Sequence, residues 1–243
     1  MPNYREVKPV FNLQNIIDCF WFNTLEDDSE QESSSVMIPD NRVDIVFLRD
    51  IKKQSEIHFV GPMSKSFKTV PREIRGIRFK AEYLKNYFHI PMCDFNDCIV
   101  PLEEIYPDTN KLIDINYNSN SPEEFIHSFS EYFCLQNQME NLNPNYNILK
   151  ISTAIENGVS VSDIQEQSSF SRQYLLKLFR SNVGISMKRF ERISRLQRAI
   201  TSLRGQIDLD WSDFALAHGY YDQSHLINEC KELTGRTPTL LIG

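Results

Sequence analysis

A chain of 243 residues has room for one large domain or two moderate ones, and 41% hydrophobic with 24% charged residues is a globular make-up. The net charge of −7 conceals a gradient: residues 1–147 hold 14 basic and 23 acidic side chains (−9), whereas residues 148–243 hold 12 and 10 (+2). No run reaches the uncharged apolar length of a membrane span, and the N-terminus M-P-N-Y-R-E-V-K-P has no apolar signal region, so a cytoplasmic chain without a membrane partner is expected.

The chain opens on Val10, Phe11, Leu13, Ile16 and Ile17, a short amphipathic segment leading into the aromatic strand Cys19-Phe20-Trp21-Phe22. An acidic, serine-rich stretch from Glu26 to Ser35 reads as an exposed loop. Met37-Ile38-Pro39-Asp40 leads into Val43 to Leu48, whose β-branched and aromatic content predicts a strand. Ile57 to Val60, ended by Gly61-Pro62, predicts another, and Phe67 to Val70 and Ile74 to Phe79 have the same pattern. Leu84 to Phe88 reads as helix, and Val100-Pro101-Leu102 starts a further short element. Residues 108–122, rich in Asn, Asp and Ser, are expected to form a loop. Pro122 to Leu135 is an amphipathic helix with Phe125, Ile126, Phe129, Tyr132 and Phe133 on its apolar side. Gln136 to Asn147, with five Asn and a Pro, reads as a linker, and Ile148, Leu149, Ile151 and Ile155 begin a second domain.

The most informative stretch is Ser171 to Gly184. Tyr174, Leu175, Leu178 and Phe179 form one apolar stripe at 100° per residue, with Ser171 suited to cap the helix and Gly184 to end it. Arg172, Gln173, Lys177 and Arg180 supply a donor-rich opposite face, which suits a helix lying in a major groove. An ordinary solvated helix face has the same look, but the element recurs. Shifted by 51 positions, Phe170, Ser171, Leu175, Leu176, Phe179, Arg180, Gly184 and Ser186 meet Tyr221, Asp222, Leu226, Ile227, Cys230, Lys231, Gly235 and Thr237. A shorter apolar helix precedes each copy: one from the capping-box pattern Ser162-Asp163-Ile164-Gln165, the other from Asp210 to His218. Helix, turn, helix, twice over, is a pair of helix-turn-helix units. Between them Met187 to Leu203 reads as a connecting rod, apolar at Met187, Phe190, Ile193, Leu196, Ile200 and Leu203. Lys188, Arg189, Arg192, Arg195 and Arg198 fill the rest, with Arg189 and Arg192 open to either phosphate or solvent. From Arg172 to Arg204 nine basic residues face Glu191 alone (+8), a local field that attracts phosphates, while residues 205–243 return to −4.

On these residues the chain resembles the C-terminal DNA-binding domain of the AraC/XylS family of bacterial transcription regulators. The carrying positions are Asp163-Ile164, Ser171, Leu175, Lys177, Phe179, Arg180 and Gly184, then Gly219-Tyr220, Asp222, Ser224, Leu226, Asn228, Cys230, Lys231, Gly235, Thr237 and Pro238. Gln165 replaces the family's alanine, Cys230 an aromatic and Asn228 an arginine. More loosely, Phe20-Trp21, Ile38-Pro39-Asp40, Asp44-Ile45-Val46-Phe47, Val60-Gly61-Pro62 and Gly76-Ile77-Arg78-Phe79 resemble a regulatory domain found ahead of such units.

The resemblance implies an α+β two-domain protein. A β-rich sensory or oligomerisation domain over residues 1–135 and a linker over 136–147 would precede an all-α domain over 148–243. It further implies double-stranded DNA as the partner, a homodimer, contact with RNA polymerase and a small-molecule effector of unknown identity. The expected DNA-binding residues are Arg172, Gln173, Lys177 and Arg180 in the first unit and Gln223, Ser224, His225 and Asn228 in the second. For His225 the structural reading, a side chain held within its own helix, is favoured over base contact. In the family the helix at 122–135 often contributes dimer contacts; packing on its own β-domain is the alternative. No enzyme, cofactor or metal site is expected. His89, Cys93 and Cys98 lack a CxxC pair or a fourth ligand nearby, and no P-loop, GxGxxG or nucleophile elbow appears. Five scattered cysteines, Cys19, Cys93, Cys98, Cys134 and Cys230, argue for thiols rather than a disulfide framework. A second class of function remains, a protein-interaction module with little DNA binding, favoured by the acidic second unit and Asn228.

Overall fold

The structure, a computed structural model, describes residues 3–24, 35–49, 55–69, 73–88, 91–106, 108–135, 145–203 and 209–242. In chain order the first half contains β1 (Asn3–Val7), a 3-10 turn at Phe11–Leu13, β2 (Ile17–Thr24), β3 (Ser35–Met37), β4 (Arg42–Arg49), β5 (Ser55–Val60), β6 (Phe67–Thr69) and β7 (Glu73–Lys80). It continues with α1 (Ala81–Phe88), a 3-10 turn at Met92–Phe95, β8 (Ile99–Pro101), a 3-10 turn at Leu102–Glu104, α2 (Thr109–Asn118) and α3 (Pro122–Leu135). The second half is helical: α4 (Tyr146–Glu156), α5 (Val161–Gln167), α6 (Arg172–Val183), α7 (Met187–Leu203), α8 (Trp211–Ala217), α9 (Gln223–Thr234) and α10 (Pro238–Ile242). Among the described residues no helix is long and apolar enough to cross a membrane.

A six-stranded antiparallel sheet in the order β1-β2-β7-β4-β5-β8 forms the first half, and β3 and β6 pair separately. Strand alternation decides its two faces. Phe20, Phe22, Ile45, Phe47, Phe59, Ile77 and Phe79 point one way and are buried. They meet α3, whose Phe125 lies edge-on to Phe20, Phe22 and Phe47 while Phe133 lies edge-on to Phe79. The apolar side of α3 is therefore spent on its own sheet, the second of the two roles open to it. On the opposite face Trp21 crosses over Gly76, its partner in register. A Cβ at Gly76 would stand 2.0 Å from the Trp21 ring, so only glycine permits the crossing. The indole Nε1–H donates to Asp44 Oδ1 at 2.8 Å.

Residues 108–122 do not form a loop. Most are the helix α2, because Thr109, Leu112 and Asn116 line one buried face at spacings of three and four. Its Asn and Asp content hid that periodicity. β1 and β3 were not expected at all; β1 pairs along its whole length with β2. The acidic stretch at 26–34 lies outside the described residues, and Ser35 opens β3. Residues 136–144 of the expected linker also lie outside them. Its end is helical: Asn145 caps α4 by accepting the N–H of Asn147. His89 lies outside the described residues, whereas Cys93 belongs to the 3-10 turn at Met92–Phe95 and Cys98 directly precedes β8.

The two halves share one apolar core, which runs from Phe20, Phe47 and Phe133 to Leu175, Phe179, Phe190 and Leu233. Polar contacts cross with it. Asn41 Nδ2 donates to the Phe190 carbonyl at 3.0 Å and to Ser194 Oγ at 2.9 Å. Arg42 pairs with Glu156 at 2.6 Å, and Gln197 Nε2 donates to the Pro39 carbonyl at 2.6 Å. A smaller cluster of Ala199, Leu203, Phe214, Ala215, Tyr220 and Leu226 belongs to the helical half alone.

Candidate nucleic-acid interface

Two helices carry the expected reading faces. In α6 the Ser171 hydroxyl accepts the N–H of Tyr174 at 3.3 Å, and Gly184 ends the helix at φ +95. In α9 Asp222 accepts the N–H of His225 at 2.7 Å, and Gly235 ends the helix at φ +72. Each helix has 12 residues, and their ends stay 51 positions apart. The preceding helices are capped too, by Ser160 for α5 and Asp210 for α8. The first of these caps lies two residues before the expected Ser162. Ser160 fills the role because its hydroxyl accepts the N–H of Asp163, while Glu191 takes the N–H of Val161 at 2.8 Å.

Within α6, Leu175, Phe179 and Val183 are buried, and Leu178 is half-buried. Tyr174, expected in the apolar stripe, is instead 50% exposed, and Asn182 takes a buried place by donating to the Leu178 carbonyl. Arg172, Gln173, Lys177 and Arg180 are all exposed. The repeat places them opposite Gln223, Ser224, Asn228 and Lys231 of α9. In that helix Ser224, Asn228 and Lys231 are exposed, and Gln223 is half-buried. His225 is half-buried as well: its Nδ1 accepts the N–H of Tyr221 at 3.2 Å, and its ring meets Tyr220 edge-on at 5.2 Å. Through that bond the side chain braces the start of α9. Cys230, where the family has an aromatic, is fully buried, so this departure changes packing and leaves the outer face alone.

The arginines of α7 are already engaged. Arg195 Nη2 lies 2.8 Å and 2.7 Å from the two oxygens of Glu229, and its guanidinium sits 4.7 Å above the Tyr220 ring. Arg192 Nε donates to Glu229 at 2.7 Å, and its other nitrogens reach Glu232. Arg189 donates to the Ser64 carbonyl and pairs with Glu232. Lys188 pairs with Glu191, and Arg198 donates to the carbonyls of Ile155 and Glu156 at 3.0 and 2.8 Å. Hydrogen bonds from Arg192 hold the Glu232 carboxyl below its ordinary range. Arg189 and Arg192, open to phosphate or solvent on sequence grounds, thus face carboxylates. Glu229 and Glu232 in return face these arginines and Arg195, so two of the six acidic residues of 205–243 are paired with α7. Spacing within α7 could not show this, because the partners lie 34 to 43 positions away.

Residues 164–241 match the family model of a helix-turn-helix domain, and residues 5–101 match that of a domain of unknown function (DUF6597). The chain has no match among curated proteins. Among solved structures it is similar to ToxT from Vibrio cholerae at 13% identity and a TM-score of 0.43, over 87% of this chain and 95% of that one. ToxT from Vibrio cholerae O395 is 12% identical with a TM-score of 0.44, over 87% and 95% of the two chains. Wild-type ToxT from Vibrio cholerae strain SCE256, bound to an unsaturated fatty acid, is 12% identical with a TM-score of 0.39, over 89% and 97%. Two capped helix-turn-helix units on one bracing helix thus fall in the segment that matches the helix-turn-helix family model, behind a β-rich domain, an arrangement similar to that of the AraC/XylS regulators.

Proposed function

We propose that the protein regulates transcription by reading a specific DNA sequence through α6 and α9 together. The observation that carries this reading is the outward face shared by the two helices. Arg172, Gln173, Lys177 and Arg180, with Ser224, Asn228 and Lys231, are exposed, while the neighbouring arginines of α7 are occupied by carboxylates. Gln173 and Lys177, four residues apart, would face base edges, with Arg172 and Arg180 nearer the phosphates. Gln223, Ser224 and Asn228 would add discrimination with little charge, since neutral groups displace few counterions. The pairing of Glu229 and Glu232 with α7 supports this over a pure interaction module, because it neutralises two of the six acidic residues that favoured the latter.

The test is a selection of binding sites from random duplex DNA, followed by Gln173→Ala. The variant should lose roughly 1–3 kcal/mol of discrimination at one base position and keep its preferences elsewhere. A uniform loss on every sequence would make Gln173 a backbone contact. Failure of the parent to select any sequence would return the lead to the interaction module.

A further inference from the structure

The segment between β5 and β6, residues 61–66 of the N-terminal domain, touches the C-terminal end of both reading helices. At α6, a Cβ built on Gly184 would lie 2.9 Å from Pro62 Cγ and 2.9 Å from the Met92 carbonyl oxygen, so the backbone there is pressed against this segment. At α7, Arg189 donates to the Ser64 carbonyl. At α9, the Ser66 N–H donates to the Leu233 carbonyl at 2.9 Å, and the Ser66 hydroxyl donates to the Thr234 carbonyl at 2.9 Å. Carbonyls in the last turn of a helix lack partners within it, so Ser66 supplies α9 with two donors from another domain. The segment is itself held: the Asp97 N–H donates to the Pro62 carbonyl at 3.1 Å, Asp97 Oδ1 accepts the Ser64 N–H, and the Gly61 N–H donates to the Cys98 carbonyl at 3.0 Å.

We infer that Ser66 is a positioning residue for DNA recognition: through it the N-terminal domain fixes where α9 stands relative to α6. The inference rests on the reading of α6 and α9 as the two DNA-contacting helices. A duplex offers its grooves at a set repeat, so two readers on one protein must hold a set separation and angle. The chain from α7 to α8 ties the two units covalently, and the 61–66 segment bridges their far ends. Moving that segment would alter two-site reading without touching a base-contacting side chain, and this gives the N-terminal domain a physical route to regulation.

The experiment uses the full chain and a duplex selected by the parent protein. Asn228→Ala first marks the segment read by α9. Ser66→Asp then places a carboxylate against the last carbonyls of α9, where the helix end is already negative. The penalty for base changes in the α9 segment should fall about tenfold, the tolerated spacing between the two segments should widen, and penalties in the α6 segment should stay. Ser66→Thr, which keeps the hydroxyl, should behave as the parent. Ser66→Ala, the milder variant if the aspartate prevents folding, should lower the α9 penalty about threefold. Unchanged penalties in both segments, or equal losses in both, would overturn the inference. A parent that selects no sequence fails at the earlier step, the DNA reading itself.

Discussion

Local positive charge between Arg172 and Arg204 is divided by what each side chain touches. Lys188, Arg189, Arg192 and Arg195 meet carboxylates and Arg198 meets carbonyls, while Arg172, Lys177 and Arg180 stand exposed on α6 and Arg204 lies outside the described residues. Removing a cation that neutralises DNA should change the salt dependence of binding, and removing one that neutralises a carboxylate should change stability. Lys177→Ala should therefore make the slope of log K against log salt shallower, by about one if Lys177 contacts a phosphate and by less if it contacts a base edge. Arg192→Met should leave that slope alone and cost about 1–3 kcal/mol in denaturant unfolding, because it takes one partner from the buried carboxylate of Glu229. A shallower slope for the arginine variant would place Arg192 on DNA after all. The caps and the exposed face of α6 were legible in the sequence because each depends on residues within four positions. The division of the arginines was not, because it depends on α9 folding back against α7.

The duplication of a reading helix is the best-resolved feature at the scale of elements. Equal lengths, equivalent caps and matching terminal glycines show that α6 and α9 are two copies of one device. Outward chemistry is where they differ, since the position of Lys177 in one is that of Asn228 in the other. Asn228→Ala should leave the salt slope unchanged and shift sequence preference in one segment. Asn228→Arg, which restores a cation at an exposed position, should tighten binding and steepen the slope by about one. If the arginine variant binds no better than the parent in quantitative gel shifts, α9 does not reach DNA. Elements with strong periodicity or β-branched runs were read near their true bounds: β4, β7, α3 and α7 are examples. Two were not. α2 buries an asparagine and a threonine beside Leu112, and β1, polar at Asn3, Arg5 and Glu6, is a strand because β2 offers it an edge.

Two domains in the whole molecule do not mean two independent cores. Leu175 and Phe179 of the first unit and Phe190 of α7 share an apolar cluster with the sheet domain, and α6 packs on α1 and the turn at Met92–Phe95. Around α8 and the start of α9 a separate cluster, Ala199, Leu203, Phe214, Ala215, Tyr220 and Leu226, lies wholly within the helical half. The sequence could place both sets of apolar residues without showing that one set faces another domain. A fragment should begin at Asn145 rather than at Ile148, so that α4 keeps its cap and first turn. We expect residues 145–243 to remain folded and monomeric and to bind DNA more weakly than the full chain. The loss should be uneven. Without the sheet domain, α6 exposes the apolar surface that met α1 and Met92–Phe95, and α9 loses the two donors of Ser66 only at its last turn. Native-state hydrogen exchange on the fragment should show α4 to α6 opening at markedly lower free energy than in the full chain, with α8 and the first turns of α9 little changed. Equal protection throughout would mean that the first unit is autonomous and the shared core incidental. An insoluble fragment would mean that the division at the linker does not mark a folding boundary.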